Sequence, residues 1–210
     1  MTGTSRPLRL MIYDETCRSG YGPVGLTHSW IIGKALYRAL GRLDAVCGVK
    51  TWNDGLTWLA NHETHREIGE IQFWGHGHWG CAMIDRESLD IHALEPGHPL
   101  YEPLCTIRKR LASPESLWWF RTCETFGADA GQDFAERWTR FMGCRAAGHT
   151  FIIGPWQSGL HCLEDGATPS WSPTEGLREG TAAKPQRAFR SRPWKPNTIT
   201  CLHGAIPSGF

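Results

Sequence analysis

The tightest constraint on the fold is the run Leu117–Arg121 (LWWFR), four large apolar side chains in succession closed by an arginine. A strand with one face in water alternates apolar and polar residues. An unbroken apolar run instead suits a strand buried on both faces, as the central strands of parallel sheets are. Leu8–Asp14 (LRLMIYD, bounded by Pro7) and residues 71–74 (IQFW) behave in the same way. Ala45–Val49 and residues 151–153 read as further strands, the latter closed by Gly154 and Pro155.

Helical stripes separate these runs. Ser29 can cap a helix whose apolar face is Ile31, Ile32, Ala35, Leu36, Ala39 and Leu40, with Gly41 as its stop. Asn53 can cap a shorter helix carrying Leu56 and Leu59, and Leu104, Ile107 and Leu111 share one face of a basic helix. Phe134, Trp138 and Phe141 form an i, i+4, i+7 stripe, which is core packing. Residues 81–103 read as irregular, with a short helix near Ser88. Strands alternating with helices predict an α/β fold: an open, mostly parallel sheet with helices on both faces.

A chain of 210 residues suits one domain with a full core. The expected organisation is an α/β domain over residues 1–163, a long flexible loop rich in Pro, Gly and Arg over 164–197, and a last strand near 198–203 inside a terminal stretch, 198–210, of the same domain. The loop lacks apolar periodicity, and its cations Arg178, Lys184, Arg187, Arg190, Arg192 and Lys195 read as a solvated surface. A formal net charge of +1 gives no global field toward nucleic acid or membrane. No run approaches the roughly 18 to 20 apolar residues that span a bilayer, and the first residues hold no apolar leader. Eight cysteines occur without a C-x-x-C pair, so free thiols in a reducing cytoplasm are expected.

In an open parallel sheet, chemistry gathers at the carboxyl ends of the strands. His76 follows the IQFW run and Cys123 follows LWWFR, with one helix between them. Adjacent parallel strands would bring both to one edge as base and nucleophile. A free thiol with a pKa of about 8.5 is only a few per cent thiolate at neutral pH, so it needs such a base. Acyl transfer also needs donors for the developing oxyanion, and the backbone N–H groups of Gly77 and Cys123 are the candidates. Asp14, Glu15, His78 and Glu124 sit at the same predicted edge and are candidates for lining a substrate pocket.

The segments around the pair carry a resemblance. GHGHWG (residues 75–80) after an apolar strand is similar to the His-Gly motif of caspases and their relatives. LWWFRTCETFG (residues 117–127) resembles the Cys motif after the next strand, most closely that of CHAT domains, where the strand is commonly followed by Ala-Cys-Glu-Thr-Gly. Here Phe126 stands between Thr125 and Gly127, and the caspase Gln-Ala-Cys-x-Gly is absent. The likeness covers roughly residues 8–155. It implies a caspase-like fold and the activity of a clan CD cysteine-type endopeptidase, a thiol protease acting on a protein or peptide through a thioester. It also implies His76 as base, Cys123 as nucleophile, Gly77 in the oxyanion hole, no cofactor, and activation in many relatives by a partner protein, a cut or calcium. Two other readings remain. One is a catalytically inactive, protein-binding module or regulated subunit of the same fold. The other is a zinc hydrolase at His76 and His78, with Cys81 or Cys123 as third ligand.

Overall fold

The structure, a computed structural model, describes residues 6–16, 37 and 41–210. Along the chain run β1 (Leu8–Asp14), β2 (Ala45–Val49), helix α1 (Trp52–Asn61), β3 (Ile68–Trp74), the short strands β4 (His76–His78), β5 (Cys81–Ile84) and β6 (Glu87–Leu89), and a 3-10 turn (Ile91–Leu94). Then come α2 (Tyr101–Arg108), β7 (Leu117–Arg121), α3 (Ala128–Met142), β8 (Arg145–His149), β9 (Trp156–Gln157), β10 (Leu160–Leu163), β11 (Leu177–Thr181), β12 (Lys184–Ala188) and β13 (Ile199–Thr200). The central sheet has six strands in the order β10-β8-β7-β3-β1-β2, all parallel except the antiparallel edge strand β10. The fold is therefore α/β, with a mixed, mostly parallel sheet.

Side-chain alternation divides the core into two faces. Leu8, Leu10 and Ile12 of β1, Ile71 and Phe73 of β3, and Trp118 and Phe120 of β7 share one cluster with Leu56, Leu104, Phe134 and Trp138 of the three helices. Met11, Tyr13 and Trp74 point the other way and meet Tyr37, while Leu117 and Trp119 meet Ile199 and the C-terminal residues Ile206 and Phe210. Among the described residues, the three helices given in full cover one face. The helix expected after Ser29 lies outside the described residues, apart from Tyr37, which is buried on the opposite face. The aromatic stripe of α3 is core: Trp138 stands edge-on to Trp118 at 4.8 Å and to Phe120 at 5.1 Å, and Phe134 to Phe120 at 5.2 Å. Phe141 is half-buried against Tyr101.

Several expected boundaries move, each for a local reason. The cap of α1 is Thr51, not Asn53, and its hydroxyl accepts from Asp54 N–H at 3.1 Å. Residues 81–103, expected irregular, include β5 and β6, which join β4 in a small antiparallel sheet. The strand expected at 151–153 is instead β8, whose RAAGH sequence shows no apolar run; a Cβ added at Gly148 would lie 2.5 Å from the Phe126 ring. Ile152 then makes an isolated bridge to Arg190. The segment 164–197, expected as a loop, contains the β11–β12 hairpin. Backbone pairing and docking hold that hairpin without an apolar stripe: Asp129 N–H donates to Ala182 O, and the Gln132 amide donates to Trp171 O. The last strand, β13, pairs with β9 rather than with the central sheet. Among the described residues no helix is long and apolar enough to cross a membrane.

Arg121 closes β7 and is buried. Its guanidinium lies 4.4 Å from the Trp119 ring and 4.6 Å from that of Trp74. It donates to Tyr37 OH at 2.8 Å, Gln157 Oε1 at 2.7 Å, and the carbonyls of His203 and Cys201 at 2.9 and 3.2 Å. Burial lowers its pKa from the usual arginine value. One side chain thereby ties β7, β9 and the C-terminal residues together. Arg121→Leu strands these acceptors and should cost about 3 kcal/mol, read as a lower urea midpoint, while Arg121→Lys should recover only part because it lacks the planar fork.

His149, at the end of β8, is also buried; its Nδ1 is 3.1 Å from Ser158 O and its Nε2 has no partner among the described residues. Burial pushes its pKa down to about 3. Between the unfolded value of about 6.5 and that folded value, only the unfolded chain binds the proton. Stability should therefore fall on acidification by about 1.4 kcal/mol per pH unit across that window. In His149→Asn, whose amide can still donate to Ser158 O, the slope measured by urea titration at pH 4–6.5 should flatten.

Candidate active site

β3 and β7 are neighbours, parallel, and paired so that Trp74 lies opposite Arg121. Strands in such a pair are about 4.8 Å apart. His76 follows Trp74 by two residues and Cys123 follows Arg121 by two, so both emerge at the same carboxyl edge and the same height. Beyond the sheet the two segments stay in contact. A Cβ added at Gly77 would strike Thr125 Oγ1 and lie 2.7 Å from both Cys123 O and Thr122 Cβ. Gly80 N–H donates to Thr125 O at 3.1 Å, and Thr125 Oγ1 donates to Cys81 O at 3.2 Å. Only glycine permits this approach between the histidine strand and the cysteine turn.

The turn from β7 to α3 is tightly specified. Thr122 and Thr125 hydroxyls bond each other at 2.5 Å in a buried position. Glu124 N–H donates to Phe151 O, Phe126 N–H to His149 O, and Gly127 N–H to Glu124 O. Glu124 has φ of +45°, a left-handed conformation that a side chain adopts at a cost of order 1 kcal/mol. The strain sits directly after Cys123. Phe126 is fully buried, stacked on Trp171 at 5.7 Å and near Phe120 at 6.4 Å, so it anchors the turn to the core. Among the described residues no acceptor is bonded to Cys123 N–H, which leaves that donor at the turn available.

Cys123 is half-buried, and its Sγ lies 3.9 Å from Ile153 O. Burial pushes the thiol up to about 11; the carboxylate of Glu124 adds to the rise and Arg190 offsets part of it. At neutral pH the resting thiol is thus protonated, with about one part in ten thousand ionised. It becomes a nucleophile only if a base takes its proton during attack.

His78 and Glu124 come together: Nδ1 lies 3.0 Å from Oε1, and the imidazole packs on Trp79 at 4.3 Å. Both line a cavity of about 670 Å³, whose other wall comes from the segment after β12, including Phe189, Arg190, Arg192, Trp194 and Lys195. Asp14 and Glu15 are not brought into that cavity. Asp14 is buried; its Oδ1 accepts from Thr16 N–H and Oγ at 2.8 and 2.6 Å, and its Oδ2 from Asp85 N–H at 3.3 Å. It joins the end of β1 to the β5–β6 turn, and Glu15 extends the pairing with β2 through Val49 O. His76 and His78, two apart on β4, share a strand face, but among the described residues no group of three or more His, Cys, Asp or Glu could hold a metal ion. Cys81, Cys105, Cys123, Cys144, Cys162 and Cys201 are free thiols.

Sequence reasoning missed the cationic wall, because the residues that form it carry no periodicity. Its one signal was the density of Arg and Lys after residue 177. No family model, curated protein or solved structure matches the chain.

Gly77→Ala should force the cysteine turn to move, because the atoms it meets are backbone and buried hydroxyls. A loss of about 1–3 kcal/mol is expected, read as a lower melting temperature. Gly154→Ala, where nothing lies within 4 Å of the added Cβ, should leave melting unchanged.

Proposed function

We propose that the chain is a cysteine-type endopeptidase of caspase-like fold, with Cys123 as nucleophile and His76 as base. The observation that carries this reading is the β3–β7 register, which ends both strands at one edge two residues before His76 and Cys123. The strained turn after Cys123 and the close approach of Gly77 support it. Cys123 Sγ attacks the substrate carbonyl carbon while its proton passes to the His76 imidazole. The oxyanion takes hydrogen bonds from the N–H groups of Cys123 and Gly77. The C–N bond then breaks as the imidazolium gives its proton to the leaving amine. Water, deprotonated by the same imidazole, hydrolyses the thioester and restores the thiol. Because the resting thiol is protonated, no standing ion pair is needed; deprotonation accompanies attack.

One observation favours a second reading. A thiol near pKa 11 is also what a non-catalytic cysteine would show. On that reading the fold serves as a protein-binding module or a regulated subunit that a partner protein switches on.

Cleavage of a mixed peptide library should be abolished in Cys123→Ala and reduced at least a hundredfold in His76→Gln, with melting unchanged in both; cleavage that survives Cys123→Ala would sink the nucleophile assignment. Alkylation by iodoacetamide gives the second comparison. Resting Cys123 should react faster with rising pH up to about 11. A peptidyl electrophile that engages the base should instead react readily at neutral pH, at a rate that His76→Gln should lower. Profiles identical in wild type and His76→Gln, with no cleavage, would favour the non-catalytic module.

A further inference from the structure

The 670 Å³ cavity beside Glu124 is cationic. Its lining includes Arg178, Arg187, Arg190, Arg192 and Lys195 against one carboxylate, Glu124, which His78 already engages. Arg178 and Arg187 have a local partner, since both approach Glu179, at 3.6 and 3.3 Å. Arg190, Arg192 and Lys195 have no carboxylate partner among the described residues. Lys195 lies over the Phe189 ring at 4.5 Å and Arg192 over that of Trp194 at 5.6 Å. Phe189 and Trp194 are 41% and 72% exposed, so these contacts face solvent.

These charges stand on a fixed backbone. Ile152 N–H donates to Phe189 O and Ser191 N–H donates to Ile152 O, a parallel bridge that holds Arg190 next to the chain touching Cys123. Ser158 N–H donates to Ser191 Oγ at 2.9 Å, and Arg192 N–H to Ser158 Oγ at 3.2 Å. Ser191 therefore points inward, and Arg190 and Arg192, both exposed, flank it on the outer side. On an extended run their spacing is about 6.6 Å, the repeat of alternate side chains along an extended peptide.

We infer that the Arg190-x-Arg192 edge, with Lys195, binds an extended acidic peptide carrying carboxylates at alternate positions and delivers it to the cysteine turn. The ligand is taken as a peptide because the cavity borders Glu124, next to Cys123, which rests on the hydrolase reading, and because its volume suits a short segment. Binding itself does not require that reading. The fixed backbone reduces the ordering cost, and the unpaired cations favour a polyanionic partner while repelling basic ones.

The test uses the 210-residue chain with Cys123→Ala and fluorescence anisotropy with three labelled probes: a peptide of about eight residues with Glu at alternate positions, the same peptide with Lys for Glu, and a single-stranded oligonucleotide of equal negative charge. The acidic peptide should bind at least tenfold tighter than the other two, and its affinity should fall with rising salt. Arg190→Glu/Arg192→Glu should weaken it at least tenfold and Arg190→Gln/Arg192→Gln less, with melting unchanged, since both side chains are exposed. Equal binding of the Lys peptide, tighter binding of the oligonucleotide, or full binding by the charge-reversed protein would each overturn the inference. Acidic-peptide binding in a chain whose wild type never cleaves would overturn only the hydrolase reading; cleavage indifferent to acidic residues would overturn only this one.

Discussion

The buried guanidinium of Arg121 is the interaction on which the site's geometry depends. A charge at the end of a central strand, with no carboxylate paired to it among the described residues, has to be satisfied by neutral acceptors and ring faces. Here these come from Tyr37, Trp74, Trp119, Gln157 and the carbonyls of Thr200, Cys201 and His203. Those groups belong to distant parts of the chain, so the position of β7 is set by all of them at once. Cys123 is two residues further on. Its placement relative to β3 therefore follows from the register and from an anchor that leaves the strand end little freedom to slide.

The cysteine turn combines two opposed demands. Close packing of Gly77 on the turn, and of Phe126 beneath it, fixes the geometry that the proposed acyl transfer would use. The same packing removes water from the thiol and raises its pKa, against ionisation. On the proposed reading, the proton leaves only in the presence of substrate, when attack and transfer to an imidazole are one event. A protonated resting thiol also resists adventitious oxidation and metal capture, since the thiolate is the reactive form in both. The left-handed Glu124 lies directly after Cys123, and its strain is held by the hydrogen bonds to Phe151 O and from Gly127 N–H.

What was legible in the sequence was whatever rests on burial and periodicity. LRLMIYD and LWWFR are strands with their expected bounds, and the Phe134/Trp138 stripe packs where a stripe of that period must. The order of His76 and Cys123 behind two apolar runs was legible too, because parallel strands must end at a common edge. Elements chosen for smallness or for pairing were not legible. RAAGH has no apolar run, since Ala146 and Ala147 make room for larger neighbours and Gly148 for the Phe126 ring. β4 to β6 are three to four residues each, too short for any period to show. Asp14 reads as a pocket carboxylate by position alone, yet its oxygens are taken by Thr16 and Asp85 N–H, which only the folded chain reveals.

The segment after residue 164 shows how a region without a hydrophobic signature becomes ordered. Its positions are fixed by polar contacts to the core: Trp171 indole N–H to Phe126 O, the Glu175 carboxylate to Thr150 and His161 at 2.7 Å each, and the Ser158–Ser191–Thr198 hydroxyl cluster. For Glu175, burial alone would raise the pKa, but the bonds from His161 and Thr150 outweigh it and hold the carboxyl below its usual value. The anchor is thus a group that is ionised at neutral pH. A net charge of +1 hides this arrangement, because acidic residues elsewhere cancel the cations in the sum but not in the cavity. Any ligand of this cavity meets the local field, and that field lies on the wall the segment contributes, beside Glu124 of the cysteine turn.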